Sequence, residues 1–202
     1  MLKDQWPLLP VGEWKDIYQT LHMWTQIVGK IRLALTPMEN HWWNSTLYIT
    51  PTGLTTSTIY YKDRLLKIDF DFDSHLLLIT TSVDQRKEIP LKSFPVAEFY
   101  KEVMNALDEF KINVSIWTTP VEVEERIPFE KDYKHCTYDP IYAHRFWQIV
   151  SQSARISHTF AQCLLAKLAQ YISFGVPLIW LLQDFQEGVL LLILVSQIVL
   201  VL

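Results

Sequence analysis

The run Ile68-Asp69-Phe70-Asp71-Phe72-Asp73 restricts the possible folds of this chain more than any other stretch. Apolar and acidic side chains alternate with a period of two. Only an extended strand sorts such a pattern, placing Ile68, Phe70 and Phe72 on one face and three carboxylates on the other. The apolar face has to be covered, so the rest of the chain must supply further strands and something apolar to lay on them.

Both are present. From Gly12 to Leu35 the residues Trp14, Ile17, Tyr18, Leu21, Trp24, Val28, Ile31 and Leu35 recur every three or four positions, the stripe of an amphipathic helix, and Pro37 ends it. Leu47–Thr50 and Leu54–Tyr61 are rich in Thr, Ile and Tyr and are split by Pro51 and Gly53, which predicts strand, turn, strand. Leu65–Phe72 and His75–Ser82 read as a hairpin around Asp73-Ser74, and Arg86–Leu91 as a shorter strand. Pro95 opens a second amphipathic helix, Val96–Phe110. Asn113–Thr118 reads as one more strand, and Glu122–Lys134 as a charged surface connection. Asp139-Pro140 supplies an N-cap and a proline at the first helical position for a long helix running past Ile156. The fold class is α+β, a mostly antiparallel sheet of five or six strands with helices packed on one face, followed by an apolar C-terminal tail.

Composition narrows the function classes. A formal net charge of -4, with both signs mixed along the first 160 positions, argues against a nucleic-acid footprint or a polybasic membrane patch. Two cysteines, Cys136 and Cys163, without CxxC spacing point to reduced thiols in the cytoplasm. The opening MLKDQWPLLP has no apolar segment of the kind a signal peptide needs. Eight Trp, nine Tyr and ten Phe are concentrated in the first 150 residues, enough for a ring-rich core and for a ring-lined ligand groove.

Candidate site residues fall in two groups. Asn40-His41-Trp42-Trp43 joins an imidazole, an amide and two indoles just after the helix break, and His22 and Gln26 form a polar row beside the apolar stripe of the first helix. With Trp117 they outline a pocket for an unknown small molecule. The second group is Asp69 and Asp71. Their carboxylates lie roughly 7 Å apart on a strand, with Arg64 and Lys67 expected nearby, so a solvated face is the plain reading and a hard-cation site the sharper one. An EF-hand is excluded, because Ser74 stands where its glycine belongs. No HExxH, GxSxG or glycine-rich phosphate loop occurs, no cofactor is implied, and nothing in the sequence decides whether the chain is an enzyme.

Trp6-Pro7, Leu9-Pro10, LHMWTQIVGKIRLAL, Asn40-His41-Trp42-Trp43, YITPTGLTTSTIYY, IDFDFDSH and IWTTPVE together resemble a family of uncharacterised bacterial proteins, the domain of unknown function numbered five-nine-nine-six. The resemblance covers about residues 5 to 160 and implies no substrate, cofactor or catalytic residue. Its members carry a Met where Thr119 stands here. The division is therefore residues 1–162 as the α+β domain and 163–202 as an apolar tail. From Leu168 to Leu202 there is no Lys or Arg, and Val189–Leu202 is too short for the roughly 20 residues of a spanning helix. Read from the third base of the Leu168 codon, permitted codon choices spell SPIHFFWGSFDLAVTRFSGR, which resembles the family's word after its long helix. The tail is thus expected to be a frameshifted translation that begins near Gln162, leaving the chain truncated relative to its family.

These readings favour a ligand-binding or non-catalytic soluble protein. The rivals are a metal-assisted hydrolase using Asp69, Asp71 and His41, and a tail-anchored membrane protein should the apolar tail be genuine.

Overall fold

The computed structural model describes residues 6–38 and 40–173. They divide into two units, Pro7–Trp147 and a second made of residues 1–6 with 148–202. The first contains α1 (Val11–Leu35), a 3₁₀ segment Asn40–Ser45, β1 (Tyr48–Ile49), β2 (Gly53–Thr55), β3 (Ile59–Tyr61), β4 (Arg64–Asp71), β5 (Leu76–Thr81), β6 (Arg86–Pro90), α2 (Val96–Glu109), a 3₁₀ turn Phe129–Lys131 and the start of α3 (Pro140–Ser173).

The sheet is antiparallel throughout, in the order β1-β2-β4-β5-β6, with β3 also paired to β4. β2 and β3 lie end to end along β4, opposite residues 69–71 and 64–66. Thr56 bridges the gap between them. Its N–H reaches the Ile68 carbonyl at 2.9 Å and its Oγ1 accepts the Ile68 N–H at 3.0 Å, while Ser57 takes a left-handed φ of 59°. A side-chain oxygen thus stands in for a ladder carbonyl, and one long strand becomes two short ones with a bulge.

The alternation expected for β4 holds: Leu66, Ile68 and Phe70 are buried and Phe72 follows them inward. Cross-strand register extends the pattern into a row, Ile49, Leu54, Phe70, Leu77 and Ile89, on the same face. Both helices cover that face. Phe99 of α2 stacks on Trp24 of α1 at 4.7 Å and on Phe70 at 6.4 Å, so strand, helix and helix meet at one cluster of rings. Each ring of that size contributes about 1.5–3 kcal/mol when fully buried. On the opposite face Asp69 lines up with Thr55, Leu78 and Glu88, a partly exposed row with three polar members.

Two sequence expectations are corrected. Asn113–Thr118 is not a strand. It is irregular chain without a ladder, in which the Trp117 carbonyl accepts from Lys30 of α1 and the Thr118 carbonyl from the Phe129 N–H at 3.0 Å. The charged connection 122–134 is not wholly a surface feature, because Phe129 and Asp132 are completely buried. Oδ1 of Asp132 accepts the N–H groups of Lys134 and His135, each at 3.1 Å, and Oδ2 meets Nδ1 of His135 at 2.7 Å. The backbone carbonyls of Asp132 and His135 accept the Ala97 and Val96 N–H groups at 3.0 Å, supplying the first turn of α2 with the partners its Pro95 cap lacks.

Asp139 caps α3 as expected, its Oδ1 accepting the N–H groups of Ile141 at 2.8 Å and Tyr142 at 3.2 Å. In the first unit Phe146 stacks on Trp14 at 5.6 Å, and Nε1 of Trp147 donates to the Thr50 carbonyl at 3.1 Å. In the second unit α3 continues from Gln148, with Ser157 and Thr159 bonded back to the carbonyls of Ser153 and Arg155, each at 2.9 Å. Among the described residues no helix is long and apolar enough to cross a membrane. The apolar tail past Ser173 lies outside the described residues.

Candidate functional site

α1 carries a row of side chains at every fourth position: Trp14, Tyr18, His22, Gln26 and Lys30. Tyr18 meets Trp14 in a tilted arrangement at 5.3 Å and stacks on His22 at 5.7 Å. Gln26 grips the backbone of Val121, its Oε1 accepting the N–H at 2.9 Å and its Nε2 donating to the carbonyl at 2.8 Å. That fixes the amide's orientation. Its remaining N–H then points at Nε2 of His22, 3.0 Å away, which must be an acceptor with the ring proton on Nδ1. Burial pushes the His22 imidazole below its ordinary value, with the Glu122 carboxylate opposing. Burial, then Glu122, raises the Tyr18 phenol.

Lys30 completes the row. Its Nζ donates to the Trp117 carbonyl at 2.9 Å and to the Thr119 carbonyl, and lies 5.2 Å from the Trp117 ring centre and 4.9 Å from that of Phe129. Burial lowers its amine to about 8. Of the sequence candidates, His22 and Gln26 are in contact, and Trp117 meets Lys30 further along the same row. The polar groups of Gln26 and Lys30, however, are taken up by the backbone of residues 117–121. This flank of α1 is a strap that pins an irregular segment.

The other flank carries different chemistry. Arg32, only 7% exposed, donates from Nε to the Thr56 carbonyl at 2.8 Å and from Nη1 to the Trp43 carbonyl at 2.6 Å, with its guanidinium 5.2 Å from the Tyr48 ring centre. These contacts hold the 3₁₀ segment Asn40–Ser45 against the end of α1. Thr36 adds a hydrogen bond to the Asn44 carbonyl at 3.2 Å, and Gly29 admits the Ser45 carbonyl to 3.1 Å from where a Cβ would stand. Asn44 is 1% exposed, and its Oδ1 is buried without a partner, as is Oγ1 of Thr46. Trp43 is 58% exposed and Tyr48 43%.

The pocket expected from sequence thus separates in two. Gln26 and Arg32 point about 120° apart around the helix axis at 3.6 residues per turn. Trp43 belongs with Arg32, away from His22, Gln26 and Trp117. Asn40, His41 and Trp42 share its 3₁₀ segment, and their side chains lie outside the described residues. Sequence reading missed Arg32, Asn44 and Thr46. The available signal was an arginine set among the apolar positions of a helix, in Ile31-Arg32-Leu33.

The acidic strand face is committed elsewhere. Lys67 pairs with Oδ2 of Asp69 at 2.8 Å, as the spacing suggested, leaving Oδ1 buried and unpartnered. Oδ1 of Asp71 accepts the N–H groups of Asp73 and Ser74, each at 2.9 Å, and so closes the β4–β5 turn. Asp73 meets His144 at 3.1 Å. Among the described residues no group of three His, Cys, Asp or Glu side chains is placed to hold a metal ion.

One family model, described as a family of unknown function (DUF5996), matches residues 6–174. No curated protein and no solved structure gives a match.

Proposed function

We propose, for a chain that belongs to the DUF5996 family of unknown function, a non-catalytic ligand-binding role, with a small molecule held against residues 40–48 at the end of α1. The observation that carries this reading is the pair of buried, unpartnered polar atoms, Asn44 Oδ1 and Thr46 Oγ1, on the same short stretch of chain as the exposed Trp43. A buried polar atom without a partner costs about 1–3 kcal/mol. A ligand that satisfies it recovers that energy, and the rings of Trp43 and Tyr48 offer apolar area to its planar part. The strap offers less to a ligand, since Gln26 and Lys30 already bind the backbone of residues 117–121.

A thermal-shift and tryptophan-fluorescence screen of small molecules against the full chain tests the placement. The expected result is a compound that raises Tm in the parent protein and loses that effect in Trp43→Ala. Compounds whose effect survives Trp43→Ala and disappears in His22→Ala instead put the site on the strap and overturn the placement.

The metal-assisted alternative has no observation of its own in favour, because Asp69 pairs with Lys67, Asp71 holds a turn, and the side chain of His41 lies outside the described residues. A stoichiometric divalent ion in purified protein would restore it. Cytoplasmic residence is supported by the exposed free thiols of Cys136 and Cys163, which an oxidising compartment would put at risk. Residues 163–202 are read as a shifted-frame product, and the coding DNA tests this directly: absence of the family string in the alternative frame near codon 162 ends the idea.

A further inference from the structure

We infer, on the premise that residues 40–48 form a ligand site, that the ligand is held through an oxyanion, a carboxylate or phosphate group seated against Arg32, with a planar ring lying on Trp43 or Tyr48. The charge of Arg32 is an observation separate from the orphaned atoms. Its guanidinium is nearly sealed from solvent, and two of its N–H donors go to neutral carbonyls. Every ion pair among the described residues lies elsewhere, so among them no carboxylate answers this cation. A buried charge is ordinarily paired, and carbonyls and one ring face supply only part of what a counter-ion supplies. An oxyanion delivered there interacts in a low-dielectric setting and makes charge-assisted hydrogen bonds to a planar fork of donors.

The neighbours suit the same ligand. The Trp43 carbonyl accepts both Arg32 Nη1 and the Thr46 N–H, the latter at 3.2 Å, which brings the Thr46 backbone beside the guanidinium. The Thr46 hydroxyl is free to donate, and a half-turn of the Asn44 amide presents its NH₂ in place of the oxygen. A cation against the exposed ring of Tyr48, with two donors and the exposed Trp43 on the same short stretch of chain, describes an aromatic or heteroaromatic acid, or a phosphate ester of one, better than a neutral or cationic compound.

The test titrates the full chain with sodium benzoate, phenyl phosphate and inorganic phosphate at constant ionic strength, with benzamide as the neutral analogue, following Tm and tryptophan fluorescence. At least one ring-bearing anion is expected to give a saturable rise in Tm, with benzamide at least about tenfold weaker, the loss that follows from removing one charge-assisted contact. Comparison of benzoate with phenyl phosphate identifies the anionic group, and inorganic phosphate alone measures what the ring adds. Asn44→Asp supplies an internal counter-ion in nearly the same shape, so it should raise Tm without ligand and abolish the response to anions. Thr46→Val removes the hydroxyl and keeps the shape. It should fold and bind the anion about tenfold more weakly, which carries the test should Asn44→Asp fail to fold. Absence of a saturable response to every anion overturns the inference, as does an undiminished response in Asn44→Asp or, where that variant does not fold, in Thr46→Val. Equal binding of benzamide and benzoate, both lost in Trp43→Ala, overturns the anionic character while leaving the ligand site standing.

Discussion

The amide of Gln26 decides the protonation state of its neighbour. With Val121 holding that amide in one orientation, a proton on Nε2 of His22 would face the NH₂ group rather than an acceptor. Burial acts in the same direction, so the folded-state value of His22 lies below the ordinary 6.5. The unfolded chain then takes up the proton first, and stability falls as pH drops from about 6.5 toward the folded value. Urea denaturation between pH 7 and 5 is expected to show this loss in the parent and a flatter profile in His22→Gln; parallel profiles would count against it. Asp71 illustrates a different point. Its place in the alternating run suggests a solvated charge whose removal is harmless, yet its Oδ1 holds two turn N–H groups, so Asp71→Ala should destabilise by about 1 kcal/mol. Phe70→Ala, which empties a ring site 1% exposed, should cost about 3–5 kcal/mol. Gly53→Ala is expected to be as severe, about 3 kcal/mol or more, because its Cβ would stand 1.8 Å from the Phe70 carbonyl oxygen.

Among the elements, α1, β4, β5 and α2 were legible because each buries one side and exposes the other, and a period of 3.6 or 2 records that directly in residue order. The long stretch from Asn113 to Tyr138 was not. Its order comes from Lys30 and Gln26 bonding its backbone and from single buried residues, Phe129 and Asp132, that no period announces. The candidate site was half legible for the same reason. The row His22–Gln26 is a local i,i+4 feature, whereas the contact of Trp117 with Lys30 of the same row is tertiary. The separation of Asn40–Trp43 from that row follows from which side of α1 Arg32 occupies, which depends on tertiary packing. The bulge at Thr56 belongs to this scale as well. Thr56→Val leaves the buried N–H of Ile68 without its acceptor and should cost about 1–3 kcal/mol in urea denaturation. A silent Thr56→Val would mean that the β2–β3 junction is not held by that side chain.

For the molecule as a whole, most pairings of the sheet are between neighbouring strands of the chain, and α2 follows the sheet directly. The strap contrasts with these, joining α1 to residues 87 and 95 positions away. Order of assembly follows from that difference. Hairpins close short loops, whereas the strap gains nothing until a far longer loop has closed, so it belongs late on the folding path. Gln26→Ala should accordingly accelerate unfolding while leaving the folding rate nearly unchanged, a φ-value near zero, where Phe70→Ala slows folding as well. Stopped-flow chevrons of the two variants separate these cases. The same lateness makes residues 117–121 the first to detach under native conditions, and their amides should exchange with solvent through an opening less costly than global unfolding.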